Sequence, residues 1–289
     1  MRSIVSLAAL IAAGMLPAAA HADWALSTAA QSSYDGNIGN AEHYADKVGD
    51  EILGATLSAY QALPLSSGLL LTAGGDLSGA WFDHLAGLRN VSVDGSLALR
   101  KKWGLGAFAP WVRMSVSVGR SEFDASYRDF TTSRSSLAAG KRLGDRWNIW
   151  AEYSFEHRAA APGAIVIPGI SADVFTQNAQ SLAVSTEYSI VSRLYLDLGL
   201  FVRRGDVIST SRPDPEILAA ARAVEHDPAL GMDAYAYRIL GNTYGMRPAL
   251  SFGVSEHSLL KLAYLRARVY AQGANYVKSV TELAWSYRF

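Results

Sequence analysis

The chain contains no cysteine, which excludes disulfide staples, thiolate metal sites and cysteine nucleophiles together. It has no excess of either charge, with 26 basic and 26 acidic residues. A polyanionic partner such as nucleic acid would require a basic excess, so none is expected. It has no uninterrupted apolar run approaching ~18 residues, so it offers no helical membrane span. The signatures Gly-x-Ser-x-Gly, His-Glu-x-x-His and the P-loop are all absent, which removes the common hydrolase and nucleotide readings. Yet 50% of the residues are hydrophobic, and that half needs a place to go.

A first part of it lies at the start. Met1 to Ala22 carries one basic residue, Arg2, then an apolar run from Ile4 to Leu16, then Pro17 and Ala20-His21-Ala22. An n-region, an h-region and an A-x-A site describe a cleaved export signal over 1–22. One domain is then expected over 23–289. No Cys follows the site, so the mature chain is not a lipoprotein.

The remaining apolar residues come at every second position. In 107–119, Val112, Met114, Val116 and Val118 alternate with Arg113, Ser115 and Ser117; in 49–62, Leu53, Ala55, Leu57 and Ala59 alternate with Thr56, Ser58 and Tyr60. Period two is the signature of a strand with one apolar and one polar face. Twelve such blocks can be counted, separated by turn chemistry. The connections after odd blocks read as long and those after even blocks as short. In the tenth block, 235–254, the polar face changes parity near Tyr244-Gly245-Met246, which reads as a bulge. An even number of strands with loops sorted in this way predicts an all-β, antiparallel, up-and-down transmembrane barrel with short periplasmic turns and long extracellular loops.

The last block ends on an aromatic residue. Leu283, Trp285, Tyr287 and Phe289 share one face, and Lys278, Glu282, Ser286 and Arg288 share the other. This terminus resembles the closing strand of Gram-negative outer-membrane β-barrels. That resemblance implies an outer-membrane location with both termini periplasmic. It also implies contact with outer-membrane lipid and lipopolysaccharide, and an assembly signal at Leu283, Trp285, Tyr287 and Phe289 read by the barrel-assembly machinery. Tyr34-Asp35-Gly36-Asn37 is similar to a Tyr-Asp-x-Asn stretch of several proteobacterial outer-membrane barrels.

Energy then assigns the faces. A Lys or Arg on the lipid face costs about 2–4 kcal/mol at the bilayer midplane, so mid-strand charges should point inward. The expected lumen residues begin with Asp76, Asp94, Arg100, Arg113, Arg134, Glu152, Glu156 and Glu187. Later strands add Asp197, Arg203, Arg247, Arg266, Arg268, Lys278, Glu282 and Arg288. Arg204 and Lys261 violate the rule at strand ends, where a long side chain can snorkel. On this reading the closing strands form a basic wall, and strands three, four, seven and eight an acidic one.

Function is less legible. A narrow channel for small hydrophilic solutes is expected. The barrel of a lipoprotein or polysaccharide assembly system is the alternative, and an outer-membrane lipid hydrolase a third. No His is followed by a nucleophile segment of the lipase type, and His257-Ser258 falls in a periplasmic turn. No cofactor or metal is expected. The first loop is rich in oxygen ligands without calcium spacing. Within the longest connection, 205–234, Asp214 and Pro215 open a short helix. Ile165-Val166-Ile167 is too apolar for open water, so its loop should fold over the rim, fold inward or meet a partner.

Overall fold

A computed structural model describes residues 24–289, so the leader lies outside the described residues. The alternating blocks become strands of 12 to 19 residues: β1 (Trp24–Asp35), β2 (Asp50–Ser66), β3 (Leu69–Phe82), β4 (Asn90–Lys102), β5 (Trp111–Phe123) and β6 (Phe130–Leu143). They continue as β7 (Trp147–Ala160), β8 (Gln177–Val191), β9 (Leu194–Ser211), β11 (Tyr235–Gly253), β12 (Ser258–Ala271) and β13 (Ala274–Arg288). Each pairs antiparallel with its sequence neighbour, and β13 pairs with β1, so these twelve strands close into an up-and-down barrel with no free edge. The closure reaches the final residue, since the Phe289 amide donates to the Leu26 carbonyl at 3.0 Å.

A thirteenth strand, β10 (Ala223–His226), belongs to a loop and pairs with the upper part of β11. It occupies the edge left above the tight turn between β12 and β13. That turn comprises only Gln272 and Gly273. Gly273 has φ of +76°, and a Cβ there would come within 2.6 Å of the Glu216 carbonyl oxygen. Here the expected alternation of long and short connections fails. The eight-residue connection 103–110 between β4 and β5 is the opposite exception. The remaining long loops gather at one end of the barrel, called the long-loop end below.

The outward face carries the apolar residues. Leu53, Met114, Val116, Val118 and Leu200 are more than half exposed and Leu283 nearly so, forming a belt that only an apolar medium covers favourably. Aromatics border it. Trp147 packs edge-on against Tyr188 at 5.8 Å and Tyr287 against Phe289 at 5.1 Å near the short-turn end. Tyr244 and Tyr270 meet edge-on at 6.1 Å toward the other end. Interfacial girdles have this composition.

The bulge expected at 244–246 is absent: β11 pairs with β9 in one unbroken register from Tyr235↔Ser211 to Phe252↔Leu194. The parity change has another cause. Tyr237 and Ile239 face a helix rather than water. This is α1 (Pro215–Ala220), capped by the Asp214 carboxylate, which accepts from the Glu216 and Ile217 amides. Ile217 is fully buried with Tyr237, Ile239, Val269 and Tyr276. The helix therefore packs on the rim. Register shifts occur instead at Pro64/Ser66 and Ser189/Val191, beside short turns.

Candidate functional site: the lumen and its mouth

The β9–β11 hairpin rises past the rim and leans across the mouth. The Asn40 side chain donates to the Ile208 carbonyl at 3.0 Å, and the Ser209 hydroxyl donates to the Asn40 carbonyl at 3.0 Å. These contacts tie the loop after β1 to the β9–β11 hairpin, whose β9 lies four strands from β1 around the barrel. The loop 161–176 covers the hairpin from another side, burying Val174 and Phe175 while leaving Ile165 open to solvent.

One carboxylate ties these loops together. Asp227 is fully buried. It accepts from Tyr127 Oη at 2.9 Å, Arg128 Nε at 3.0 Å and Thr210 Oγ1 at 3.1 Å, and it also receives the Arg128 Nη2. Arg128 lies over the Phe175 ring at 4.9 Å. Nearby Glu225, also buried, has its carboxyl pushed up to about 7 by burial first, then by the Asp227 and Asp173 carboxylates, against the opposing pull of Arg128. Sequence reading missed this clasp, because its members are about 100 residues apart.

Beneath the clasp the lumen divides into three chambers of about 590, 520 and 450 Å3. Arg134 lines both the upper and the middle chamber. Arg100 and Trp111 line both the middle and the lower one. The chambers thus succeed one another from the long-loop end to the short-turn end.

Strand pairing places the expected charges. Asp76 and Asp94 face each other directly across β3 and β4 on the inner side. Asp76 accepts from Ser58 Oγ at 2.6 Å and Tyr60 Oη at 2.5 Å. Asp94 sits opposite Gly119, where a Cβ would collide with its carboxylate at 1.9 Å, so the glycine makes room for the charge. Glu152 is shared by Arg113 at 3.2 Å and Arg134 at 3.1 Å. Glu156 meets Arg158 at 3.0 Å, Arg247 meets Glu282 at 3.0 Å, and Lys278 meets Asp35 at 2.7 Å. In the Tyr34-Asp35-Gly36-Asn37 stretch, Asp35 also accepts from the Asn37 amide at 3.0 Å, so the motif anchors the first loop. Glu187 and Asp197 are paired across β8 and β9. Arg203 lines the upper chamber and donates to the Asp206 carbonyl at 3.0 Å. Arg288 is on the inner parity at the short-turn end, and its amide donates to the His257 carbonyl at 2.8 Å.

Two placements are corrected. Arg266 and Arg268 face outward, because their strand turns Ala263, Ala267 and Val269 to the buried inner side. Lys261, expected to snorkel outward, points inward and meets Asp197 at 3.5 Å. The inward rule weakens with depth: the cost of an outward Arg falls to about 0–1 kcal/mol near the interface. At about 2.5 Å of height per tilted residue, Arg268 and Arg266 lie roughly 8 and 13 Å below the tip of β12, within snorkelling reach of the boundary. Their loss from the lumen thins the basic wall of the closing strands to Arg247, Lys261, Lys278 and Arg288, the first three of them paired with carboxylates. The cations concentrate instead on β4 to β7, where Arg100 stands directly opposite Arg113.

The closed, twelve-stranded, antiparallel form with an apolar exterior is the fold of outer-membrane β-barrels. Across 92% of this chain it is similar to the crystal structure of the COG4313 outer membrane channel from Pseudomonas putida F1, with 95% of that chain covered, 11% identity and a TM-score of 0.60. It is more distantly similar to the NanC porin (8% identity, 91% of this chain and 100% of that chain, TM-score 0.45). The beta domain of the Bordetella autotransporter Brka is at a comparable distance (11%, 91% and 98%, TM-score 0.45). No family model and no curated protein matches the sequence.

Proposed function

We propose that the protein is an outer-membrane channel for small hydrophilic solutes, with a preference for anions. It would be exported through cleavage after Ala22, with its termini in the periplasm. The observation that carries the channel reading is incomplete charge pairing in the lumen. Among the described residues, Asp76, Asp94, Arg100, Glu187, Arg203 and Arg288 have no ion-pair partner, unlike Arg247 or Lys278. A dry core would make each of these charges very costly, whereas a hydrated path does not. The anion preference rests on sign. The middle chamber holds Arg100, Arg113 and Arg134 against Glu152, and the lower one Arg100, Lys102, Arg142 and Arg146 against Asp145 and Glu187.

Single-channel recording in a planar bilayer tests this directly. Discrete conductance steps with chloride more permeant than potassium are expected. A barrel verified as folded that never conducts would overturn the reading and favour an assembly or export role.

The closing strand supports a second expected result. Leu283, Trp285 and Phe289 stand exposed on the outer face, where an assembly factor could read them. Phe289→Asp should lower the amount of heat-modifiable barrel in membranes at least fivefold without lowering synthesis. Equal folded yields from parent and variant would remove the assembly role.

A further inference from the structure

The outward arginines have no place in a channel mechanism. Arg204, Arg266 and Arg268 are all exposed on the outer face near the long-loop end. Strand pairing sets Arg204 beside Asn242 and Asn242 beside Tyr270, with Arg268 one step lower, beside Tyr244, and Arg266 beside Met246. Arg268 lies over the Tyr270 ring at 5.2 Å. From the outward positions of β8 through β13 to β1, no strand position below the rim carries Asp or Glu. Among the described residues, none of the three arginines has an ion-pair partner. By contrast Arg120, on the outer face of β5, meets Glu122 at 3.7 Å and Asp129 at 3.6 Å. At the tip above the arginines, Glu42 is engaged by the Asn275 amide at 2.9 Å.

An unpaired guanidinium at the border of an apolar belt requires an anion from the surroundings, and its planar fork matches a phosphate. Arg266 and Arg268 are two residues apart on one face, about 7 Å, and Arg204 is two strands away, about 12 Å from Arg268. Two separated phosphates, one at each end of a disaccharide headgroup, suit that spacing better than a single phosphodiester does. Asn242 and Tyr270, lying between them, offer hydrogen bonds to sugar hydroxyls. We infer that this patch is a binding site for a bis-phosphorylated glycolipid, the lipid A moiety of lipopolysaccharide in the outer leaflet. The inference rests on the long-loop end facing outward, and it is independent of whether the lumen conducts.

The test uses the full mature barrel in detergent, probed by native mass spectrometry with bis-phosphorylated lipid A, its fully dephosphorylated form and phosphatidylglycerol. Parent protein should retain bis-phosphorylated lipid A at least tenfold better than either other lipid. Arg204→Gln with Arg266→Gln and Arg268→Gln should abolish that preference, while Arg120→Gln should leave it intact. A parent that holds all three lipids alike overturns the proposal whatever the variants do. So does equal retention by parent and triple variant, and so does a parent that prefers phosphatidylglycerol. Orientation is read separately in intact cells. The chain has no cysteine, so Met232→Cys in the long-loop end should react with an impermeant maleimide and Leu105→Cys should not. The reverse labelling would place the patch in the inner leaflet and overturn the lipid A assignment even if the phosphate contact survived.

Discussion

Asp227→Ala is expected to release the mouth of the barrel while leaving the barrel itself folded. The carboxylate is fully buried and accepts from Tyr127, Arg128 and Thr210. Its removal strands the Arg128 guanidinium, which is itself mostly buried. Breaking a buried pair in this way costs about 3–5 kcal/mol. The closed ladder of twelve strands does not depend on that contact, so the cost falls on the loop region alone. Amides of 223–234 should then exchange with solvent at least a hundredfold faster, as a loss of about 3 kcal/mol requires. Arg128 and Leu230 line the upper chamber, so single-channel conductance should rise in parallel. Unchanged exchange in 223–234 would show that the hairpin is held by α1 and its apolar contacts instead.

The same clasp should depend on pH. Burial, then the neighbouring Asp227 and Asp173, push the Glu225 carboxyl from its ordinary 4.5 up to about 7 when the loops are latched. The latched state therefore binds the proton more tightly than the released state does. Its advantage is complete below about pH 4.5, declines as pH rises and is gone above about pH 7. Glu225→Gln should flatten that dependence.

How far this arrangement is legible in the sequence depends on what each residue reports. Period two in β5 and β13 specifies strand and face, because a lipid-facing row tolerates few exceptions. The even strand number follows from counting such rows. On β12 the reading failed for a physical reason. The rule that charges turn inward holds at mid-membrane and lapses near the rim, and a sequence gives no depth. Ala263 and Ala267 were the available signal: small residues on one parity mark a side with little room, which on β12 is the inside. On β11 the inner face became apolar because Ile217, contributed by a loop helix, packs against Tyr237 and Ile239. Neither that contact nor the Asp227 clasp has any local pattern. The chamber sequence is likewise a property of closure, since Arg100, Arg113 and Arg134 come from three strands that only pairing sets side by side.

Arg100→Glu combined with Lys102→Glu should move the channel from anion preference to near neutrality or beyond. Both side chains line the lower chamber, and neither has an ion-pair partner among the described residues. Replacing them disrupts no existing pair. Glu at position 100 would moreover stand opposite Arg113, turning a like-charge cross-strand neighbour into an opposite-charge one, a change worth a few tenths of a kcal/mol in favour of folding. The double substitution changes the wall by four charge units. Each unit acts on an ion about 7 Å away with roughly 0.6 kcal/mol in water. Screening over the ~8 Å Debye length at physiological salt reduces the combined ~2.4 kcal/mol to about 1 kcal/mol. The shift disfavours chloride and favours potassium by that amount each, so the permeability ratio of chloride to potassium should fall about thirtyfold, and the change should shrink as salt is raised. Arg266→Glu with Arg268→Glu, of the same charge change but on the outer face, should leave the ratio unaltered. If the outer pair shifts selectivity and the inner pair does not, ions do not travel through these chambers, and the path would have to lie along the outer surface or between barrels.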